Sequence, residues 1–346
     1  MKQKGGAMKE LTISEREAGM RLDRYLERYL RMADKNFIYK MMRKKNITLN
    51  DHKCSGSEKL AANDSIKIFF SDETLAKFAG PVNERPSRSV KLNVIYEDED
   101  ILVVDKPSGL LSQKAAPNDI SLVEYITEYL LQTKVVTEED LQTFKPGICN
   151  RLDRNTSGLV TAGKTVKGLQ ELSEAFRERT IHKYYICVVK GVIGEGSRID
   201  GFLVKNEKTN SVKVFDMKEA ADVFGADGET SSEAQRIVTE YMPVASGGGF
   251  TFLKVKLVTG KTHQIRAHLA SIGHPIAGDY KYGDKKVNGF VRSRYNIKSQ
   301  LLHAYELDYP DKKLKLHTKI PEEFVRLLKG EDIWEHGIQE ALEALH

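Results

Sequence analysis

Residues 158–165, GLVTAGKT, match the phosphate-binding pattern G-x-x-x-x-G-K-[ST] at every position, so the fold of the chain depends on whether this match is genuine. A phosphate-binding loop follows an apolar strand, whose end aims successive backbone amides at the phosphates. Residues 148–157, ICNRLDRNTS, are mostly polar, so the required strand is missing. The apolar residues stand instead between the two glycines: Leu159, Val160 and Ala162. We predict a strand here, followed by a helix, and keep a nucleotide-binding enzyme that depends on Lys164 as an alternative.

The composition indicates a globular chain. Of its 346 residues, 40% are hydrophobic and 30% are charged, which is enough for a large core and more than one domain. No apolar run approaches the roughly 20 residues needed to cross a bilayer, and the start of the chain lacks the apolar core of a signal peptide. We therefore expect a cytoplasmic protein with no membrane segment, in which residues 1–8 form a disordered tail, native or added.

Neither the cysteines nor the histidines indicate a metal site. The cysteines are scattered without CxxC spacing: Cys54, Cys149 and Cys187. Three histidines stand close together in the chain: His263, His268 and His274. With four and five residues between them, they do not form a helical i, i+4 pair of ligands, and no carboxylate cluster accompanies them. We predict idle thiols, structural histidines and no metal.

Positive charge is concentrated near the start of the chain. Residues 21–70 hold 12 Lys and Arg against 6 Asp and Glu, a net charge of +6, whereas the whole chain carries +5 and all other residues therefore sum to −1. Two helices are predicted here, RLDRYLERYL and KNFIYKMMRKKN, and the second carries a basic cluster: Lys40, Arg43, Lys44 and Lys45. Such a module is typical of a surface that docks a polyanion, although a solvated charged face has the same composition.

The segments after these helices complete a recognisable order. ITLNDHK predicts a strand and a turn, and NDSIKIFF predicts a closing strand with Ile66 and Ile68 on one face. The order of helix pair, basic turn and small hairpin resembles the S4 RNA-binding module, with RLD near its start, then RKKNITLND, then a turn at Asn63 and Asp64. The resemblance implies a small αL-like RNA-binding domain over residues 9–73, whose basic cluster contacts RNA.

A second domain is expected after a linker. Residues 74–90 contain two prolines and a glycine without a clean period, which predicts the linker. The following segment, LNVIYEDEDILVVDKPSG, predicts two apolar strands around an acidic turn and then a Pro/Gly loop that could line a cleft. We place the second domain at residues 91–330 and a C-terminal tail at residues 331–346.

Asp153 is the strongest candidate for chemistry. It stands between Arg151 and Arg154 before a turn-rich stretch, and taken alone it could simply cap its own turn. However, NRLDRNTSGL resembles H-R-L-D-x-x-T-S-G-L, the signature of the RluA-type pseudouridine synthases. Three further segments match this family in the family's order: VVDKPSGL, HKYYICVVKG and LVTGKTHQIRAHLASIGHPIAGD. The resemblance covers roughly residues 92–327.

The resemblance implies an α+β fold, the pseudouridine synthase fold, with a mixed, largely antiparallel sheet and a central cleft. It also implies an isomerase that converts uridine to pseudouridine in RNA without a cofactor or a metal. Together with the S4 module, it resembles the RluC and RluD subgroup, whose partner is 23S ribosomal RNA or its precursor; we expect a monomer. Asp153 would act on a flipped-out uridine as a nucleophile at ribose C1′ or uracil C6, or through a glycal intermediate.

Two further residues acquire catalytic roles through the resemblance. KTHQIRAHLASI predicts a helix whose apolar stripe leaves Arg266 on an adjacent face, and by resemblance Arg266 pairs with the catalytic carboxylate. KYYICVVKG alternates as a strand does, which puts Tyr184 and Tyr185 on opposite faces. Tyr185 matches the family pattern K-x-Y-x-x-x-V, and it would stack on the flipped uracil or relay the C5 proton.

The remaining candidates concern RNA contacts. By resemblance, Arg151 contacts the RNA around the flipped site, whereas Arg154 and Lys164 are expected to meet phosphates, which adds salt-dependent affinity without sequence information. Asn150 stands where the family usually has histidine, and we interpret this position as support for the loop.

Two other functions remain as alternatives. The first is a nonenzymatic RNA-binding or ribosome-assembly protein that keeps the fold, which is disfavoured because Asp153, Tyr185 and Arg266 are all present. The second is an aspartate-based glycosidase. That chemistry needs a second carboxylate nearby, and the signature supplies none.

Overall fold

The computed structural model describes residues 8–80, 91–206, 211–224, 234–334 and 338–345. These residues fall into two compact units. The first unit takes the described parts of three ranges: Met1–Val103, Asp119–Asn150 and Thr161–Glu174. The second unit comprises the described residues of the three remaining ranges: Val104–Asn118, Arg151–Val160 and Ala175–His346. Because each unit is assembled from segments distant in the chain, neither coincides with a domain predicted as one continuous range.

The N-terminal part of the first unit contains the two helices and the hairpin strands expected from the sequence, with one unpredicted element at each end. In order, the elements are β1 (Met8–Thr12), α1 (Leu22–Tyr29), α2 (Lys35–Arg43), β2 (Ile47–Leu49), β3 (His52–Lys53), β4 (Ser65–Phe69) and α3 (Asp72–Ala79). The strands form an antiparallel sheet in the order β1-β4-β2-β3. Asn50 and Asp51 both have positive φ, as a two-residue hairpin turn requires. Ile66 and Ile68 are fully buried, which confirms the alternation expected of β4.

Helix α3 departs from the sequence-based expectation. It covers residues 72–79, most of which were predicted to be linker. The Ser71 side chain accepts a hydrogen bond from the backbone N–H of Thr74 and so caps the helix, and Leu75 and Phe78 pack against the core of the first unit. A helix this short has no clear apolar period, which is why the neighbouring prolines dominated the prediction. Residues 81–90 of the predicted linker lie outside the described residues.

The rest of the first unit settles the question raised by GLVTAGKT. The elements in this part of the chain are β5 (Val94–Glu97), β6 (Ile101–Lys106), α4 (Leu122–Gln132), α5 (Asp140–Thr143), β7 (Gly147–Ile148), β8 (Ser157–Gly163) and α6 (Val166–Glu178), of which β6, β8 and α6 contribute to both units. The apolar residues between the two glycines belong to β8, as predicted, and a strand there cannot cradle phosphates. Lys164 forms an ion pair with Glu97, at 2.8 Å between Nζ and Oε1. The segment is not a phosphate-binding loop.

The second unit is built on an extended sheet. Its elements are β9 (His182–Lys190), β10 (Ser197–Asn206), β11 (Ser211–Asp216), α7 (Met217–Phe224), β12 (Ala234–Gly247), β13 (Phe250–Leu257), α8 (Gln264–Ser271), α9 (Lys285–Tyr295), β14 (Leu302–Tyr309), β15 (Leu314–His317), α10 (Glu322–Gly330) and α11 (Ile338–Ala344). The strands follow the order β11-β10-β12-β13-β9-β14 and pair antiparallel, with β15 also on β14. The start of β8 runs parallel to β14. The sheet is therefore mixed and largely antiparallel, as predicted.

Part of the predicted C-terminal tail is folded. Helix α11 buries Ile338 and Leu342 in the core of the second unit. Lys254, itself buried, donates hydrogen bonds from Nζ to the backbone oxygens of Leu342 and Leu345 and to the Glu306 carboxylate. A cation suits the end of a helix, where the last carbonyl groups have no partner within the helix. This long-range contact left no pattern in the sequence of the last sixteen residues.

The cysteines and the helix lengths agree with what the composition predicts. All three cysteines are free, and burial raises the pKa of the Cys54 and Cys149 thiols to about 11 and that of Cys187 further, as expected of unreactive thiols. In the part of the chain that the structure describes, no helix is both long and apolar enough to cross a membrane.

Two buried histidines in the second unit should make its stability depend on pH. Burial lowers the pKa of His268 to about 4 and that of His303 to about 3. His268 shares a hydrogen bond with Thr239 through Nδ1, whereas its Nε2 has no hydrogen-bond partner within the described ranges. His303 lies between the hydroxyl groups of Ser157 and Thr318. Among the described residues no carboxylate forms a hydrogen bond with either ring, so a second proton would be a buried charge that Asp200 offsets only in part at His268.

Lowering the pH from 8 to 5 should therefore destabilise the fold by about 2 kcal/mol for each of these histidines. The unfolded chain binds a proton on each ring near pH 6.5, whereas the folded chain does so only near pH 3 to 4, so stability is lost as the pH falls through 6.5. Urea unfolding at both pH values measures this difference, and His303→Gln should remove about half of it. His52→Gln, at an exposed position of β3, serves as the control. If His303→Gln loses as much stability between pH 8 and pH 5 as the wild type does, the lowered pKa of His303 is contradicted.

Candidate active site

Asp153 lies in a tight turn at the entrance to β8. The backbone N–H of Thr156 donates to the carbonyl oxygen of Asp153 at 3.0 Å, which closes the turn. Gly158 follows with φ +112°, and a Cβ atom there would lie 2.2 Å from the carbonyl oxygen of Ala304 on β14. Only glycine fits so close an approach of two backbones. The Asp153 side chain remains one-quarter exposed, so its carboxylate is accessible from solvent.

The loop after β6 holds this turn from the other side. Lys106 is fully buried, and its Nζ donates hydrogen bonds to the carbonyl oxygens of Pro107, Leu110 and Arg154 at 2.8 to 3.1 Å. Burial lowers the pKa of Lys106 to about 8, while the Asp153 charge acts in the opposite direction. The sequence predicted only a Pro/Gly loop here. Lys106 was missed because a lysine directed at backbone carbonyl groups leaves no pattern along the chain.

Arg266 on α8 lies against the Asp153 carboxylate. Its Nη1 donates to Asp153 Oδ2 at 2.8 Å, and its Nε and Nη2 donate to the two carboxylate oxygens of Asp279 at 2.7 and 2.8 Å. Burial alone would lower the pKa of Arg266, but the hydrogen bonds and charge of Asp279, followed by those of Asp153, raise it above its usual value. The guanidinium is therefore a fixed cation, oriented by one carboxylate and directed at the other.

Asp279 was not singled out from the sequence, although it ends the third matching segment, GHPIAGD. It is fully buried, and the backbone N–H groups of Lys281 and Tyr282 also donate to its Oδ1. Burial would raise its pKa, but Arg266 and these N–H groups hold the pKa below its usual value. Asp279 therefore stays ionised. A carboxylate after a glycine is common in turns, so only the three-dimensional contact with Arg266 distinguishes it.

Tyr185 projects from the middle of the sheet toward the same charges. It lies on β9, between β13 and β14, and only 5% of the residue is exposed. Burial, and secondarily the negative charge of Asp153, raise the pKa of its hydroxyl well above the usual value. Tyr185 is therefore a phenol at any physiological pH. It can donate a hydrogen bond or present its ring, but it is a poor base.

His263, predicted to be structural, also borders the carboxylate. Its Nε2 lies 3.9 Å from Asp153 Oδ2, and its Nδ1 lies 2.9 Å from the hydroxyl of Tyr282. That hydroxyl accepts a hydrogen bond from the backbone N–H of Val212, so its own proton is free to point at Nδ1. Burial lowers the pKa of His263, against the opposing effect of Asp153. These contacts favour a neutral ring with the Nε2 proton facing Asp153.

The residues predicted to contact RNA differ in their accessibility. Arg151 and Arg154 flank Asp153 and are exposed. The structure argues against phosphate contact by Lys164, which is buried in the first unit and bound to Glu97. The cluster on α2 and the residues that follow it is exposed: Lys40, Arg43, Lys44 and Lys45. The Asn150 side-chain oxygen accepts hydrogen bonds from the N–H and hydroxyl groups of Thr161, a position that supports the strand after the loop.

Comparison with known proteins places this geometry in a family. A family model of RNA pseudouridylate synthases matches residues 100–271. The chain is 30% identical to ribosomal large subunit pseudouridine synthase C of Haemophilus ducreyi, with 86% of each chain covered. It is 28% identical to ribosomal large subunit pseudouridine synthase D of Borreliella burgdorferi, over 93% of this chain and 92% of that one. The chain belongs to the RNA pseudouridylate synthase family and is an isomerase of the RluA type.

A solved structure shows the same fold. The human protein RNA Pseudouridylate Synthase Domain Containing 4 aligns with a TM-score of 0.55 at 20% identity, covering 70% of this chain and 94% of that one. At this identity the likeness concerns the fold alone. Together with the mixed sheet of the second unit, it confirms the predicted pseudouridine synthase fold. The assignment of residues 9–73 to an S4 module stays a prediction.

Asp279→Asn should lower kcat by about 10- to 100-fold while the KM for RNA stays nearly constant. The change removes the charge that orients Arg266, and a small displacement of a positioned group can cost about two orders of magnitude in rate. Breaking this buried pair should also destabilise the fold by about 3 kcal/mol. Steady-state kinetics and urea unfolding measure both effects. Asp311→Asn, which removes an exposed carboxylate, is the control; an unchanged kcat in Asp279→Asn would show that Arg266 needs no such partner.

Proposed function

We propose that this chain isomerises uridine to pseudouridine in large-subunit ribosomal RNA, with Asp153 as the catalytic carboxylate. The observation that carries the assignment is the chain of hydrogen bonds from Asp279 through Arg266 to Asp153, which holds an accessible carboxylate beside a fixed cation. The substrate class rests on the relatives, which are named as large subunit ribosomal pseudouridine synthases. The 23S RNA or its precursor is the corresponding bacterial substrate.

The reaction requires few groups from the protein. The bond between ribose C1′ and uracil N1 breaks, the base turns within the site, and a bond from C1′ to C5 forms. The C5 proton is then lost and N1 gains a proton, so the net change is an isomerisation that needs no cofactor. The Asp153 carboxylate starts this sequence by attack at C1′ or C6, or by promoting a glycal intermediate, and all three routes fit a partly exposed carboxylate.

Tyr185 and Arg266 have complementary roles in this proposal. Because its hydroxyl stays protonated, Tyr185 supports the uracil ring by stacking or donates a hydrogen bond to it, rather than removing the C5 proton as a base. Arg266 keeps the Asp153 carboxylate oriented in a site from which RNA excludes water. Removal of the C5 proton then falls to Asp153 itself or to a water molecule at its exposed side.

The uridine must leave its helix before Asp153 can reach the ribose. Extruding a base costs a few kcal/mol of stacking and pairing, which contacts to the surrounding RNA have to offset. Arg151 and Arg154 are exposed on either side of Asp153 and suit this task. We assign Arg151 to the RNA around the vacated position and Arg154 to a phosphate. The enzyme is expected to work as a cytoplasmic monomer without a metal.

Asp153→Asn should abolish pseudouridine formation while leaving RNA affinity within about twofold, because the amide keeps the shape of the side chain but is not a nucleophile. Carbodiimide adduct formation and primer extension on unmodified large-subunit RNA detect the product. Asp311→Asn, with the same change of charge, should retain activity. Product formation by Asp153→Asn would refute the assignment of Asp153 as the catalytic carboxylate. Weaker RNA binding with product still formed would indicate that Asp153 binds RNA instead.

We also propose that residues 9–73 form an S4 module that docks RNA through the basic cluster at the end of α2. Deleting the module would open the core of the first unit, where Phe144 and Val166 pack with its residues, so substitutions in the full chain are the better test. Removing three exposed cations should lower the slope of log affinity against log salt by about 2 to 3.

The variant for this test is Lys40→Gln/Arg43→Gln/Lys44→Gln, and RNA affinity is measured across a salt series. The control removes three exposed lysines of the second unit: Lys313→Gln/Lys319→Gln/Lys329→Gln. A smaller slope in the first variant than in the control supports the docking surface. Equal slopes would assign docking to another part of the chain.

A further inference from the structure

Helix α9 carries a second concentration of positive charge. Residues 281–298 hold six Lys and Arg against one aspartate, a net charge of +5 over 18 residues. The six cations are Lys281, Lys285, Lys286, Arg292, Arg294 and Lys298. All six are exposed, while Asn288, Val291 and Tyr295 face the interior. The net charge of the whole chain, +5, does not reveal this segment, because acidic residues elsewhere offset its positive charge.

The helix is attached directly to the loop that carries Asp279, residues 272–284, which is called the catalytic loop below. The Asn288 side chain donates a hydrogen bond to the carbonyl oxygen of Asp279 at 2.8 Å, and its oxygen accepts one from the N–H of Gly278 at 2.9 Å. Lys285 and Arg292 stand three residues before and four residues after Asn288, so they neighbour it on the helix surface. These two cations therefore lie on the flank of α9 that is next to the backbone of Gly278 and Asp279. Lys286 lies on the opposite flank, about 160° around the helix from Asn288.

The other end of this segment approaches the Asp153 turn. Lys298 precedes Ser299, whose hydroxyl oxygen lies 3.4 Å from that of Ser108. Ser108 in turn donates a hydrogen bond to the carbonyl oxygen of Asn155, two residues after Asp153. The backbone at Lys298 therefore lies near the turn that carries Asp153. Asn288 within α9 and Ser299 after it are both tied to backbone that positions the site, so this segment has a fixed place beside it.

Several of these cations have no acidic partner among the residues that the structure describes. Asp284 pairs with Lys190, and the Arg294 guanidinium donates to Tyr295 and lies 3.9 Å from Glu331. Within the described ranges, no acidic partner is found for a set of four: Lys285, Lys286, Arg292 and Lys298. A solvated charged face would show the same exposure. However, three of these four cations, Lys285, Arg292 and Lys298, also lie beside the catalytic loop, which a solvated face does not explain. Like charges held on one rigid surface repel each other unless an anion lies between them.

We propose that Lys285, Arg292 and Lys298 form a phosphate-binding surface that holds the RNA backbone next to the flipped uridine. This inference rests on the proposed RNA substrate. It adds where the RNA backbone lies on the second unit. Arginine grips a phosphate with two parallel hydrogen bonds, and lysine adds a point charge. Such contacts carry no base information, and they act equally on bound substrate and transition state. The surface therefore sets RNA affinity and orientation rather than the rate of the chemical step.

The test compares two full-length variants that lose the same charge. The first is Lys285→Gln/Arg292→Gln/Lys298→Gln, and the matched control is Lys286→Gln/Lys313→Gln/Lys319→Gln, whose cations are exposed but do not border the catalytic loop. Steady-state kinetics on unmodified large-subunit RNA are measured over a salt series. The first variant should raise KM by about 10- to 100-fold with kcat within about twofold, and lower the slope of log kcat/KM against log salt by about 2 to 3. The control should resemble the wild type.

A charge-conserving variant, Lys285→Arg/Arg292→Lys/Lys298→Arg, separates phosphate binding from a folding defect, because it should restore most of the KM and all of the salt slope. Equal KM values and slopes in the first variant and the control would overturn the surface while leaving the proposed function intact. A fall in kcat at constant KM would also overturn it, because phosphate contacts would not produce that effect. Failure of the wild type to modify this RNA would overturn the proposed substrate, and the inference with it.

Discussion

The buried Arg266 guanidinium is the interaction on which the site depends. A charge removed from water is costly unless it is paired and hydrogen-bonded, and Asp279 satisfies both conditions with two parallel hydrogen bonds. With Nε and Nη2 held by Asp279, Arg266 directs its third nitrogen, Nη1, at Asp153. The Asp153 carboxylate can therefore stay partly exposed, because its partner Arg266 is held by buried groups rather than by solvent. A substrate that covers Asp153 strengthens the same contact as water leaves.

The fold brings these groups together from segments far apart in the chain. Asp153 precedes β8, Arg266 lies on α8, and Asp279 follows that helix by a short turn. Lys106, from the end of β6, binds the carbonyl oxygen next to Asp153 and fixes the turn from beneath. The central strand β9 then supplies Tyr185 from the sheet itself. A rigid sheet and buried charges thus hold a turn that would otherwise be mobile, which suits a site that has to act on a base taken out of its helix.

The sequence predicted most accurately where local periodicity and burial agree. GLVTAG forms a strand because its apolar residues stand together, and KYYICVVKG forms β9, whose six consecutive buried residues fit its central place between β13 and β14. Predictions failed where the deciding contact leaves no period in the chain. Helix α3 has only eight residues and a local serine cap, too short a segment to show an apolar repeat. The contacts of α11 with Lys254 and of Lys164 with Glu97 join partners that lie tens of residues apart.

The sequence by itself determined the family and the sheet type, because these depend on short motifs and on apolar periodicity. It also singled out Asp153, Tyr185 and Arg266, whose catalytic roles stay predictions. Tertiary structure alone decided what surrounds them. It identified Asp279 as the partner of Arg266, Lys106 as the support of the turn and His263 as a neighbour of the carboxylate. The physical reason is that charge pairing acts through space: its energy depends on distance and burial, and neither can be read along the chain.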